Sequence, residues 1–229
     1  MFVVWGTRNA GKVDQRDGQY ALTRFAHVYW LPLVPTSSIW VTSDGVGHDM
    51  KLSPRSVIAG YARTWSLVLG AAGVIGFGGT LAFAAEIAAV AIGALSMSWT
   101  NVVTESGKRR SDLNLLAFGT RCEPKLLPES LVETLTVEAN ERWAVVSDGQ
   151  SPGDIARFGT DDLERAAAAY GVLRLTALSL PSAQAAEAEA DAKRIAEGVR
   201  EKLQVTEGGP YRSAAVSQRL LPAQPVKGE

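Results

Sequence analysis

From Val57 to Trp99 the chain runs almost without charge. Over SVIAGYARTWSLVLGAAGVIGFGGTLAFAAEIAAVAIGALSMSW, which begins at Ser56, only Arg63 and Glu86 are charged. A hydrocarbon core of about 30 Å is crossed by ~20 apolar residues in a helix. One continuous helix over this stretch would be roughly 65 Å long at 1.5 Å per residue. Folding at Gly76-Phe77-Gly78-Gly79 resolves the mismatch, so the expectation is a two-helix transmembrane hairpin over 56–100. The alternative is a buried helical hairpin inside a larger globular core, which the polar, divided remainder of the chain is poorly suited to wrap.

Lys51 and Arg55 precede this block and Lys108, Arg109 and Arg110 follow it, while the glycine turn carries no basic residue. The positive-inside tendency then places both termini in the cytoplasm and the hairpin in the inner (cytoplasmic) membrane. Tyr61, Trp65 and Trp99 fall towards that same side, as an interfacial aromatic belt does. Ala85, Ala89 and Gly93 recur every fourth residue, as do Ser66 with Gly70. Such lines are candidate helix-packing residues for an oligomer seam, or simply reflect how common Ala and Gly are in membrane helices. Arg63 is placed to snorkel. Glu86, about two turns beyond the glycine turn, is the intramembrane polar residue that suits an ion path, a snorkelling carboxylate or a helix–helix hydrogen bond.

The formal net charge of −1 gives no electrostatic reason to expect nucleic acid as a partner. Cys122 is the one cysteine, which excludes an internal disulfide framework. With only His27 and His48 beside it, there are too few soft ligands for a structural zinc site. The start MFVVWGTRN lacks a basic leader and an apolar core, so no removable signal peptide is expected. No cofactor is expected either.

Met1 to Asp49 reads as short strands, FVVW, QYALTRFAHVYW and SSIWVT, separated by Asp17-Gly18, Pro32 to Ser38 and Asp44-Gly45. Strand-forming residues between turn formers predict a small antiparallel sheet. Alternation puts Thr23, Phe25, His27 and Tyr29 on one face and Arg24, Ala26, Val28 and Trp30 on the other. Gly6-Thr7-Arg8-Asn9-Ala10-Gly11-Lys12 satisfies part of a phosphate-binding loop. Val13 stands where the magnesium-binding hydroxyl belongs, and DQRDGQY is a turn rather than a helix N-terminus, so the match reads as a decoy.

The pattern FVVWGTRNAGKVDQRDGQYALTRFAHVYWLPLVPTSSIWV, followed by PRSVIAGYARTW, resembles a group of largely uncharacterised membrane proteins. Their shared plan is a β module with a G-T-R, G-K-V-D and W-L-P-L-V-P-like signature, followed by membrane helices. The Y-W-L-P-L-V-P-T-S-S turn is also similar to that of zinc-ribbon membrane proteins, in which cysteines surround the hairpin. This chain has none of those cysteines, so that resemblance implies a ribbon held by hydrophobic packing in place of metal. The match covers about the first third of the chain and implies no activity and no site residue.

A basic linker over 101–126 leads through Pro128 into SLVETLTVEANERWAVV, a helix started by proline and an early glutamate. A second helix is expected from Thr160 or Asp161, with Asp161 and Glu164 as a capping box, and runs to Pro181. A third follows from Ser182, with Ile195, Val199 and Leu203 on one stripe. Together they predict a cytoplasmic helical domain over 127–205. The run Glu187, Glu189, Asp191, Lys193, Arg194 reads as a solvated face. A disordered tail is expected over 206–229. His48-Asp49 offers a base beside an acid, though chain neighbours rarely reach that geometry. His27 reads as a sheet residue and Cys122 as a half-buried thiol.

The fold class expected is therefore membrane α+β: a β module over 1–55, the hairpin, and the cytoplasmic helices. The expected role is a membrane anchor, scaffold or assembly subunit in contact with the bilayer and with a second copy or another membrane protein. The alternatives are a small transporter or channel component using Glu86, and a membrane-bound enzyme with an unrecognised site.

Overall fold

The structure, a computed structural model, describes residues 5–29, 31–76, 80–101 and 105–199; the side chains of 72–76, 80–83, 85, 86, 97–101, 105 and 106 lie outside that description. The chain divides into two compact units, with the described residues up to 101 in the first and from 105 in the second.

The first unit opens with strands β1 (Trp5–Arg16), β2 (Gln19–Val28), β3 (Leu31–Val41) and β4 (Gly47–Met50). They form one antiparallel sheet in the order β1-β2-β3-β4. Asp17 and Gly18, both with positive φ, close the β1–β2 hairpin, the geometry a two-residue turn needs to match strand twist. β1 is longer than the short strand expected, because the Gly6–Lys12 stretch that mimics a phosphate-binding loop is itself strand. Its register against β2 slips between Ala10 and Val13 and again between Val13 and Arg16. Each slip adds one residue to β1, a β-bulge, and Gly11 and Asp14 in these bulges have positive φ.

β3 contains Pro32 and Pro35, which sequence alone places in a turn. Both sit in the half of β3 that pairs with β2 alone, since β4 reaches only Ser38 to Val41. That half is an edge, where a missing N–H is tolerated. The β2–β3 register slips next to each proline, leaving Leu33 and Thr36 as the extra residues. Thr36 Oγ1 donates to Arg24 O at 3.0 Å.

Helix α1 (Pro54–Gly76) then crosses the sheet, and α2 (Thr80–Asn101) returns beside it. Ser53 caps α1: its carbonyl accepts from Val57 N and its hydroxyl from Ser56 N, with Pro54 at the first helical position, where its missing N–H costs nothing. Val13, Ala21, Phe25, Trp40 and Ala59 are buried in this unit. The Gly76–Gly79 turn lies largely outside the described residues.

The membrane reading is corrected here. Among the described residues no helix is long and apolar enough to cross a membrane, so the spanning hairpin, the multi-pass assignment and the inner-membrane location with both termini cytoplasmic lose their basis. The physical reason is visible in α1. Its first three turns are docked on the sheet through Ser56, Gly60 and Tyr61, and Arg63 Nη1 donates to Lys12 O at 2.9 Å. From Thr64 only about 13 residues remain in α1, roughly 20 Å of helix, against a hydrocarbon core of about 30 Å.

The second unit contains α3 (Glu105–Phe118), a 3-10 turn (Pro124–Leu126), α4 (Glu129–Val146), α5 (Pro152–Phe158), α6 (Leu163–Ser179) and α7 (Ser182–Gly198). α6 is its centre: Ala166 to Gly171 are consecutively buried, followed by Arg174 and Leu175. Its small side chains admit close neighbours, and a Cβ on Gly171 would sit 3.3 Å from Ala117 Cβ and from the Phe118 ring. Most of the expected basic linker is therefore the folded helix α3 and its 3-10 turn. The α6 cap is Asp162, not Asp161: its carboxylate accepts from Glu164 N and Arg165 N. The tail over 206–229 lies outside the described residues.

Candidate interaction surface

The junction of β1 with α1 is the most constrained place in the first unit. Ser56 Oγ donates to Gly11 O at 2.6 Å, and Thr23 Oγ1 donates to Ser56 Oγ at 2.9 Å. A hydroxyl carries one hydrogen, so Ser38 must donate in the 2.8 Å contact between Ser38 Oγ and Thr23 Oγ1. Ser38 Oγ in turn accepts Ser53 N–H at 3.0 Å. The result is a one-way chain, Ser53 to Ser38 to Thr23 to Ser56 to Gly11, that crosses three strands and enters α1. The Ser38, Thr23 and Ser56 hydroxyls are buried, and each finds an acceptor, which burial demands.

The rest of the junction repeats the pattern. A Cβ on Gly11 would lie 1.9 Å from Ser56 O, and one on Gly60 would lie 2.7 Å from the Phe25 ring. Phe25 meets Tyr61 edge to face at 5.2 Å, and Tyr61 donates to the bulged Leu33 O at 2.6 Å. Arg55 Nη1 pairs with Asp14 Oδ1 at 2.7 Å. Burial raises the Asp14 pKa above its ordinary value, and the Arg55 guanidinium opposes that shift. The G-K-V-D and P-R-S-V-I-A-G-Y-A-R motifs are thus two sides of one helix-to-sheet clasp. Lys12, the lysine of the loop-like motif, lays its ammonium over the Tyr20 ring at 3.8 Å, a cation–π contact.

Beyond the clasp, the candidate packing residues do meet. A Cβ on Gly70 would lie 3.2 Å from Ala89 Cβ, and one on Gly93 would lie 3.3 Å from Ser66 Oγ. Ser66 and Ala89 are buried. Ser66, Gly70, Ala89 and Gly93 therefore form the seam inside the hairpin, between α1 and α2 of the same chain. Ala85 and Glu86 fall among the side chains outside the description.

With small residues turned inward, the large ones face out. Leu67 is 70% exposed, Val90 72% and Leu95 67%, and Ile58, Trp65, Leu69, Ile87 and Ile92 are also exposed. A large apolar residue presents on the order of 150–200 Å² when fully open. The hairpin therefore shows roughly 700–900 Å² of large apolar side chain in all, divided between its two sides, each comparable with the ~300–600 Å² of the largest, often functional, patch on a typical monomer.

The candidate catalytic residues do not converge. His48 and Asp49 are successive on β4 and so point to opposite faces. Burial lowers the His48 pKa, while Asp44 acts in the other direction; Asp44 is itself held low chiefly by the Thr42 hydroxyl. His27 lies in β2, and its Nδ1 is buried with no hydrogen-bond partner among the described residues. Cys122 is buried. Among the described residues no group of three or more His, Cys, Asp or Glu is placed to hold a metal.

The second unit holds one charged cluster that sequence reading missed. Arg174, buried on α6, pairs with Glu123 and with Glu189 at 3.1 Å. Desolvation lowers the Arg174 pKa, and Glu189 opposes it. Beside it Tyr170 Oη donates to Asn114 Oδ1 at 3.0 Å, and Asn114 Nδ2 donates to Cys122 O at 3.2 Å. The cluster ties α3, the 3-10 turn, α6 and α7 together. Glu189 belongs to the run that reads as a solvated face, and the signal that could have separated it is its spacing from Arg174 across the α6–α7 turn.

Comparison of the chain with protein-family models, with curated proteins and with solved structures finds no match.

Proposed function

We propose that this chain is a non-catalytic assembly subunit whose α1–α2 hairpin is a protein-docking element held out by the β1–α1 clasp. The observation that carries the reading is the pairing of a tightly fixed base with an uncovered apolar shaft. Ser56, Gly60 and Arg63 anchor α1 to the sheet, while Leu67, Val90 and Leu95 have nothing over them among the described residues. Apolar surface on this scale is a site of association in folded proteins, because covering it recovers about 25 cal/mol per Å².

Site-specific photo-cross-linking in the cells that make the protein tests this. A benzophenone side chain at Leu69, Ile92 or Leu95 is expected to give protein adducts, and one at the exposed Lys51 is expected to give none. Absence of protein adducts at all three hairpin positions would refute the docking role.

A further inference from the structure

We infer that the protein covering the hairpin is a second copy of this chain, packed through the side of the hairpin that faces away from the sheet; the inference rests on the docking role proposed above. With Ser66–Gly70 and Ala89–Gly93 taken as the inward lines, a rotation of about 100° per residue sorts the exposed side chains. Ile58, Trp65 and Leu69 of α1 join Ile92 and Leu95 of α2 on one flank. Leu67, Ile87 and Val90 fall on the other.

The two flanks are not equivalent. Ser56 and Gly60, which touch β1 and β2, project to the same side of α1 as Leu67. The sheet therefore occupies the Leu67 side at the base of the hairpin. Among the described residues of the first unit, only the Ile58–Leu95 flank is open along its whole length, from the first turns of α1 outward. A flat helical pair can lie against that flank without meeting the sheet.

Area and charge then favour a second copy. The five large side chains of this flank present about 400–500 Å² at their measured exposures, with ~150–200 Å² for a fully open residue. Two such flanks face to face, with the exposed Ala88 of each between them, reach about 800–1,000 Å² in total, close to the size at which a specific interface begins. Arg55, at the base of this side, is paired with Asp14 at 2.7 Å, and the five large side chains above it carry no charge, so a copy of itself meets little like-charge repulsion. Two antiparallel helix pairs related by a two-fold axis form a four-helix bundle, with the sheets on opposite outer sides.

Sedimentation velocity of the full chain without detergent tests this, with flank-specific variants. Wild type is expected as a dimer of twice the 24.4 kDa chain. Leu69→Glu with Ile92→Glu is expected to weaken the dimer at least 100-fold, with helix content by circular dichroism retained. Leu67→Glu with Val90→Glu, on the opposite flank, is expected to remain dimeric. A monomeric wild type, equal loss from both variant pairs, persistence of the dimer in Leu69→Glu/Ile92→Glu, or monomers that float with neutral phosphatidylcholine vesicles would each overturn the proposal. Cross-linked adducts in cells at masses other than the dimer would overturn the second copy while leaving the docking role standing.

Discussion

Gly11 is where sequence, backbone and helix docking meet, and its replacement by alanine isolates what the clasp contributes. The residue sits at φ 73°, and the added Cβ would lie 1.9 Å from Ser56 O and 2.9 Å from Gly60 N. A left-handed conformation costs an L-residue about 1–2 kcal/mol. The neighbours are backbone of a helix, so they cannot rotate away, and α1 must lift. Lifting breaks the 2.6 Å bond from Ser56 to Gly11 O, and stranding a buried polar partner costs about 1–3 kcal/mol. The sum, about 2–5 kcal/mol, is a large share of the roughly 5–15 kcal/mol that holds a domain together. Gly45 is the control: its φ is 82°, yet nothing lies within 4 Å of its added Cβ, so Gly45→Ala pays the conformational term alone, about 1–2 kcal/mol. Urea unfolding followed through the buried Trp40 reads the first unit. With a slope near 1.5 kcal/mol per M, Gly11→Ala is expected to lower the midpoint by roughly 1.3–3.3 M and Gly45→Ala by about 0.7–1.3 M. Equal shifts for the two variants would refute the close approach of β1 to α1.

Thr23→Val removes the middle of the hydroxyl chain, leaving Ser38 without an acceptor, and should cost about 1–3 kcal/mol in urea unfolding; Thr23→Ser should recover most of it. Because the Asp14 pKa is raised above its ordinary 3.8, the ionised carboxylate disfavours the folded state. Relative to Asp14→Asn, the wild type should thus be at its most stable below pH 3.8, lose ground as pH rises through the raised value, and level off above it; urea midpoints across that range check the sign, and a wild type that gains on Asp14→Asn with rising pH would refute it. Tyr170→Phe leaves Asn114 Oδ1 buried without its donor and should destabilise the second unit by about 1–3 kcal/mol, seen through Trp143. Ser151→Ala breaks the capping box with Asp154 and should cost about 1 kcal/mol in the same assay.

Much of the first unit was legible because its signals are local. Asp17-Gly18 marks a turn, and alternation in β2 correctly separates Thr23 and Phe25, which meet α1, from Arg24. Ser66, Gly70, Ala89 and Gly93, which the four-residue spacing singles out together with Ala85, lie where α1 and α2 of the same chain meet. What spacing cannot say is whether such a seam joins two chains or two helices of one. The membrane reading failed because composition counts apolar residues without knowing which of them are committed elsewhere. Ser56, Gly60 and Tyr61 look like the start of a span, yet their partners are 28 to 45 residues earlier, at Leu33, Phe25 and Gly11. The same blindness to distant partners hid α3, whose charges suggested a linker, and the Arg174 cluster, whose Glu123 lies 51 residues away.

The two bulges of β1 have a consequence for how this strand tolerates insertion and deletion. A strand alternates strictly, so one extra residue inverts every side chain beyond it. β1 carries two, and each bulge absorbs its own: Ala10, Val13 and Arg16, three residues apart, share a side with Thr23, Ala21 and Gln19. Between the bulges alone the parity is reversed, and that window brings Val13 into the core while Lys12 turns to Tyr20 on the other side. Loss of one residue from either bulge would leave a regular strand with Ala10 still on the side of Thr23, whereas loss of one from the unbulged stretch between Trp5 and Ala10 would turn the residues before it inside out.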